Sequence, residues 1–181
     1  MIIFGYPGIG KTTLATSDRL HLNIVDMVID LDSSFFSDLD DPFWYKRYIH
    51  LAEYISKQGY LVMISTHEKV VSSLKKSPEK KLIIVPSPDL KEKWIEKLDK
   101  RRQKTNLFKD KKAYLHVKEH FDSDYEMLLE ASKWPGYDIL VLDSPNYELS
   151  YVLERALQGV GVDEKLYFHD GFEWKEVKNA D

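Results

Sequence analysis

With 181 residues, a net charge of −4, 43% apolar and 31% charged residues, the chain has the make-up of one globular, soluble domain with a single substantial core. No stretch approaches the roughly 20 apolar residues of a membrane span, and the first residues lack the basic flank and cleavage site of a signal peptide. No membrane partner is therefore expected, and the cytoplasm is the default compartment. The absence of cysteine excludes disulfides and thiolate metal sites.

In chain order, Ile2, Ile3 and Phe4 read as a short buried strand, and Thr12 to about Leu20 as a helix with Leu14 and Ala15 turned inward. Between them, Gly5-x-x-x-x-Gly10-Lys11-Thr12 matches the phosphate-binding loop pattern in every fixed position. Its chemistry is backbone chemistry: glycines reach conformations closed to other residues, so successive N–H groups can face one anion at a helix N-terminus. Gly5, Gly8, Ile9, Gly10, Lys11, Thr12 and Thr13 are the expected nucleotide contacts. Lys11 would reach the β- and γ-phosphates of ATP, and the Thr12 hydroxyl would ligate Mg²⁺.

A second strand, Met27 to Leu31, leads into Asp30 and Asp32. The next helix is capped by Asp41, has Pro42 in its first turn and is closed by Gly59; Trp44, Tyr48, Leu51 and Ile55 line one face. Residues 60–65 form a third strand and about 68–76 a short helix. A fourth strand, 81–87, precedes a helix begun by Ser87-Pro88 that turns Leu90, Trp94, Ile95 and Leu98 inward. A helix from Ala113 to Ser132 is expected to break near Asp122, where Ser123-x-x-Glu126 has the form of a capping box. A fifth strand spans 137–143 and a last helix about 147–157. Asp170-Gly171 between alternating aromatics predicts a C-terminal β-hairpin.

Residues 91–112 hold ten Lys or Arg against four Asp or Glu, a local +6 that leaves −10 for the rest. This segment reads either as a solvated helix face or as a mobile basic segment that meets phosphate, nucleic acid included.

Five near-continuous apolar strands separated by helices imply a mostly parallel sheet covered on both faces, in which ligands sit beyond the carboxyl ends of the strands. The expected fold is α/β, a three-layer P-loop NTPase domain over 1–162 with the hairpin as an extension over 163–181.

The phosphate loop, the "DLD" of residues 30–32 and the basic segment between the fourth and fifth strands resemble the P-loop small-molecule kinases: nucleoside monophosphate, shikimate and gluconate kinases and the kinase part of polynucleotide kinases. Over about the first 105 residues the chain is similar to small adenylate-kinase-like proteins of bacteriophages and Gram-positive bacteria. The resemblance implies an ATP- and Mg²⁺-dependent phosphotransferase whose Asp30 or Asp32 contacts the metal or the acceptor hydroxyl. It also implies adenine contacts from the loop after the fifth strand, at Ser144 and Asn146. A carboxylate at Asp30 or Asp32, after the second strand, suits a reaction that needs alignment, charge neutralisation and a proton acceptor; the competing reading of both aspartates is as helix or turn caps.

Arg101 and Arg102 are candidates to close over the triphosphate, since the planar guanidinium fits phosphate oxygens; a solvated helix is the alternative. Arg47, with Trp44 and Tyr45 nearby, could line the acceptor pocket, although Trp44 also reads as core. Ser65, Thr66 and His67 stand at the third strand's exit, where other nucleotide-binding proteins carry an aspartate, and Thr66 and His67 are acceptor-side candidates. Asp143, after the fifth strand, is a second candidate for a metal-linked role. His116 and His120 have helical metal-ligand spacing without an evident third ligand, and read as a solvated pair. The functional expectation is a kinase acting on a nucleotide-like small molecule, most simply a nucleoside monophosphate. A kinase for a modified base or a 5′-hydroxyl end of DNA and an NTP-dependent switch or ATPase are the alternatives.

Overall fold

In the computed structural model, residues 1–16, 28–37, 41–147, 149–157, 166–169 and 174–177 are described below. The protein is α/β. Its five-stranded sheet is entirely parallel, with strand order β2-β3-β1-β4-β5. The strands are β1 (Ile2–Gly5), β2 (Val28–Asp30), β3 (Leu61–Ile64), β4 (Lys81–Pro86) and β5 (Tyr137–Leu142). Every residue of β1, β3 and β4 is buried, as expected of strands covered on both faces, whereas β2 at the sheet edge is only partly buried.

The helices are α1 (Lys11–Thr16), α2 (Ser34–Ser37), α3 (Trp44–Lys57), α4 (Glu68–Ser73), α5 (Lys91–Thr105), α6 (Phe108–Ser132) and α7 (Leu149–Leu157), with 3-10 turns at Leu74–Lys76 and Pro88–Leu90. α1 packs on β2 and α7; α3 packs on β1, β3 and α4; α6 packs on β4, β5 and α5. Right-handed crossovers explain the division, because β1 to β2 runs towards one sheet edge and every later connection runs back towards the other. The chain reverses around β1, so the crevice at its carboxyl end lies where connections part to opposite faces.

α3 begins at Trp44, not at Asp41: Asp41 accepts the Phe43 N–H at 2.8 Å from outside the helix, and Gly59, at φ 92°, ends it. The buried face of α3 is Tyr48, Ile49, Ala52 and Ser56.

α6 corrects an expectation. It runs through Asp122 unbroken for 25 residues. The Ser123 hydroxyl donates to the His120 carbonyl at 3.0 Å within the helix, a bond that satisfies it without a cap, while Val117, Phe121 and Leu128 bury one continuous face. The basic segment 91–112 is helical: it is α5, the α5–α6 turn and the start of α6, with Trp94 and Leu98 buried and the turn made at Asn106 in the left-handed region.

Strands β6 (Leu166–His169) and β7 (Trp174–Val177) pair antiparallel as a separate two-stranded sheet. The Asp170-Gly171 turn expected between them, and the expected continuation of α1 to Leu20, lie outside the described residues. No described helix is long and apolar enough to cross a membrane.

Candidate functional site

β1 ends at Gly5, and the loop that follows turns at Gly8 and Gly10, at φ 90° and 97°, before Leu14 N–H closes the first helical turn on Gly10 O. Side chains reaching from elsewhere hold the loop from behind. Trp94 Nε1 donates to Pro7 O at 2.8 Å and the Tyr147 hydroxyl to Ile9 O at 2.9 Å, with the two rings parallel and 6.1 Å apart. Lys11 folds back across Gly5, its Nζ 2.6 Å from Gly5 O. A Cβ on Gly5 would sit 2.7 Å from Lys11 Cδ, so glycine is needed for that approach.

Lys11 is held in a crowded electrostatic setting. Burial pushes its ammonium down to about 8; Asp30 and Asp32 oppose the shift and Arg101 adds to it. The Thr12 hydroxyl donates to Asp30 Oδ2 at 2.7 Å, while Asp30 Oδ1 is buried without a hydrogen-bond partner. A buried carboxylate oxygen left unpaired beside a hydroxyl is costly unless a cation or water completes it. That donor set fits Mg²⁺, which takes one or two protein ligands and fills its octahedron with phosphate oxygens and water. Among the described residues no cluster of three or more His, Asp or Glu suits an all-protein metal cage.

Asp32 follows β2 by two residues. Burial works to raise its pKa, but the Ser34 N–H at 2.9 Å and Lys109, 3.6 Å away, outweigh that and hold the carboxyl below its usual range. Asp32 thus shows the turn-cap geometry foreseen as its alternative role and also faces the cleft.

Lys11, Thr12, Asp30, Asp32 and Ser34 line one cleft of about 990 Å³ at the carboxyl ends of β1, β2 and β3. Its floor includes Gly5, Gly8, Gly10, Lys11, Thr12, Thr13, Asp30 and Asp32, one side carries Ser65, Thr66 and His67, and α5 and α6 contribute Arg101, Lys109, Asp110, Lys112, His116, His120, Ser123 and Asp124. Arg101 pairs with the buried Asp110 at 2.7 Å, and Asp110 also accepts the Thr105 hydroxyl at 2.5 Å, so one carboxylate locks the α5–α6 turn and aims Arg101.

Several expected site residues stand elsewhere. Arg102 pairs with Asp99 and lies over the Tyr114 ring, 4.5 Å from its centroid, outside the cleft lining. Arg47 pairs with Asp41 at 2.6 Å on the exposed start of α3. Trp44 packs against Tyr45, Tyr48 and His67, the core role weighed for it. Ile9 is buried beneath the loop. Ser144 and Asn146 hydrogen-bond to each other, and neither they nor Asp143 line the cleft.

The sequence reading missed the α6 wall. His116 and His120 are half exposed, as a solvated pair would be, yet they face the cleft with rings 5.0 Å apart. The available signal was the helical spacing Lys109, Lys112, His116, His120, which the expected break at Asp122 did not interrupt.

No protein-family model and no curated protein matches the chain. Among solved structures, an uncharacterized protein from Eubacterium ventriosum is similar at 12% identity with a TM-score of 0.43, over 88% of this chain and 96% of the other. A likeness this weak carries nothing beyond itself.

Proposed function

We propose that the protein is an ATP-dependent phosphotransferase that moves the γ-phosphoryl group of Mg-ATP to a nucleotide-like small molecule, most simply a nucleoside monophosphate, on a P-loop NTPase domain. The observation that carries this reading is the Thr12–Asp30 hydrogen bond beside the unpartnered Asp30 Oδ1, next to Lys11 at the exit of β1. Bound Mg-ATP would supply the transferable phosphoryl group and the divalent charge that offsets its oxygens.

The chain's own residues would do the rest. Gly8 and Gly10 turn the loop into the start of α1, where backbone N–H groups would meet an anion, and the Lys11 ammonium would exchange Gly5 O for phosphate. Thr12 and Asp30 would hold the metal. Asp32, kept ionised by Ser34 and Lys109, would orient the acceptor hydroxyl and take its proton. Arg101, aimed by Asp110, would offset charge on the group in transit.

A second reading, transfer to a modified base or a 5′-hydroxyl end of DNA, is favoured by the basic side chains Arg101, Lys109 and Lys112 on the cleft wall. Acceptor binding that falls steeply with salt would favour DNA over a small molecule.

The test is incubation with Mg-ATP and a panel of nucleosides, nucleoside monophosphates and modified-base DNA, following transfer by mass. A phosphorylated acceptor is expected. Hydrolysis of ATP with nothing phosphorylated would overturn the reading in favour of a switch or partner-dependent ATPase.

A further inference from the structure

Two imidazoles, those of His116 and His120, stand 5.0 Å apart on the wall of the cleft and present two ring edges to one place. His116 is the more constrained. Its Nε2 meets Asp124 Oδ2 at 2.8 Å, and the same oxygen accepts the hydroxyl of Tyr6 at 3.2 Å. Tyr6 is fully buried and packs edge-on against Phe121 of α6, so the carboxylate is fixed from beneath.

The side chain of Asp124 is 16% exposed and that of His116 47%, so both line the cleft and the imidazole is the more open of the two. The bond to Asp124 raises the His116 pKa against the opposing effect of burial, with Glu119 adding to the rise. Facing it from the start of α4, His67 is pushed the other way, first by burial and then by the charge of His116. The groups around His116 are thus Asp124, Glu119 and His120 on α6, His67 and Glu68 from α4, and Tyr6 from the β1 exit. Lys109 and Lys112 extend the same helical stripe along the wall.

A metal would not use this arrangement, because no third ligand completes a set among the described residues. An anion would. A phosphate between the two imidazoles would accept a charge-assisted bond from His116 through Nδ1, since Nε2 is held by Asp124, and a ring N–H from His120.

We propose that the α6 wall is a second anion subsite, in which His116 buttressed by Asp124, together with His120, takes a phosphate monoester. That this monoester belongs to the acceptor rests on the phosphotransferase reading; the anion subsite itself does not.

The experiment is NMR of the histidine imidazoles of the full chain, titrated with inorganic phosphate, in wild type, His116→Gln and Lys11→Ala. The resonance absent from His116→Gln identifies His116. It is expected to shift saturably with phosphate and to titrate at higher pH in its presence, in Lys11→Ala as in wild type. Loss of one charge-assisted partner should weaken phosphate binding about tenfold or more in His116→Gln. The same variant should weaken binding of AMP and leave adenosine unchanged.

A His116 resonance indifferent to phosphate would overturn the proposal. So would a response that disappears in Lys11→Ala, since phosphate would then be sitting only in the β1–α1 loop. Calorimetry with Mg-ATP on the same samples separates the two ideas: binding of Mg-ATP without a His116 response removes the subsite alone. A His116 response without Mg-ATP binding removes the phosphotransferase reading and leaves the subsite standing.

Discussion

At the exit of β1 the cleft is walled by backbone: two glycines in the left-handed region, a lysine folded onto a carbonyl, and a helix start, all within residues 5–12. On α6 it is walled by side chains, set in line by helical pitch about a hundred residues later and held by a carboxylate that a tyrosine of the β1–α1 loop buttresses. The first region depends on conformations that few residues can adopt, so its composition is constrained and its spacing fixed. The second depends on which face of a long helix meets the cleft. Function at the first should therefore be lost in all-or-none fashion, whereas the second should tolerate change in graded steps.

Lys11→Ala is expected to have the largest effect, abolishing measurable Mg-ATP affinity and lowering turnover by about 10³-fold. Retention of tight ATP binding would break the comparison, because the loop would then not need its cation. Asp30→Asn should lower turnover by ~10²-fold while ATP still binds, with a raised Mg²⁺ requirement that steady-state kinetics at varied Mg²⁺ will show.

Protons sharpen the same contrast. Lys11 in the free protein titrates near 8, below its ordinary 10.5, so between those values the unfolded chain holds more protons and this group's contribution to stability rises with pH. Phosphate beside the ammonium reverses the shift. Calorimetry of Mg-ATP binding to the wild type at pH 8 in two buffers of different ionisation enthalpy should thus show uptake of roughly half a proton.

Asp110→Ala removes the acceptor of both Arg101 and Thr105 and should cost about 1–3 kcal/mol in denaturant unfolding. Arg47→Ala breaks an exposed pair, should cost under about 1 kcal/mol, and should leave the acceptor KM unchanged.

How far each region could be read from sequence follows from how it is built. The turn of the β1–α1 loop was legible because its left-handed positions call for glycine at a fixed separation, and Lys11, Thr12 and Asp30, expected together, do line one cleft. Five strands were legible because buried parallel strands are continuous apolar runs. The boundary errors fell where a polar side chain had two possible partners: Ser123 bonds back within α6, and Asp41 accepts from Phe43 N–H and Arg47 ahead of α3 without capping it. Arg101 and Arg102, adjacent in sequence, diverge because α5 turns one towards the cleft and Asp110, the other towards Asp99 and Tyr114. The α6 wall was not legible as a site because its partners, Tyr6 and His67, come from loops remote in sequence, and pattern alone does not say which helical face meets them.

The measurement that bears most directly on the account is a calorimetric titration of the full chain with ATP, with and without Mg²⁺, alongside Lys11→Ala. Saturable binding at one site, tighter with Mg²⁺ and lost in the variant, is predicted. Absence of binding in the wild type, or binding that Lys11→Ala leaves intact, would contradict the assignment of the β1–α1 loop as the triphosphate site.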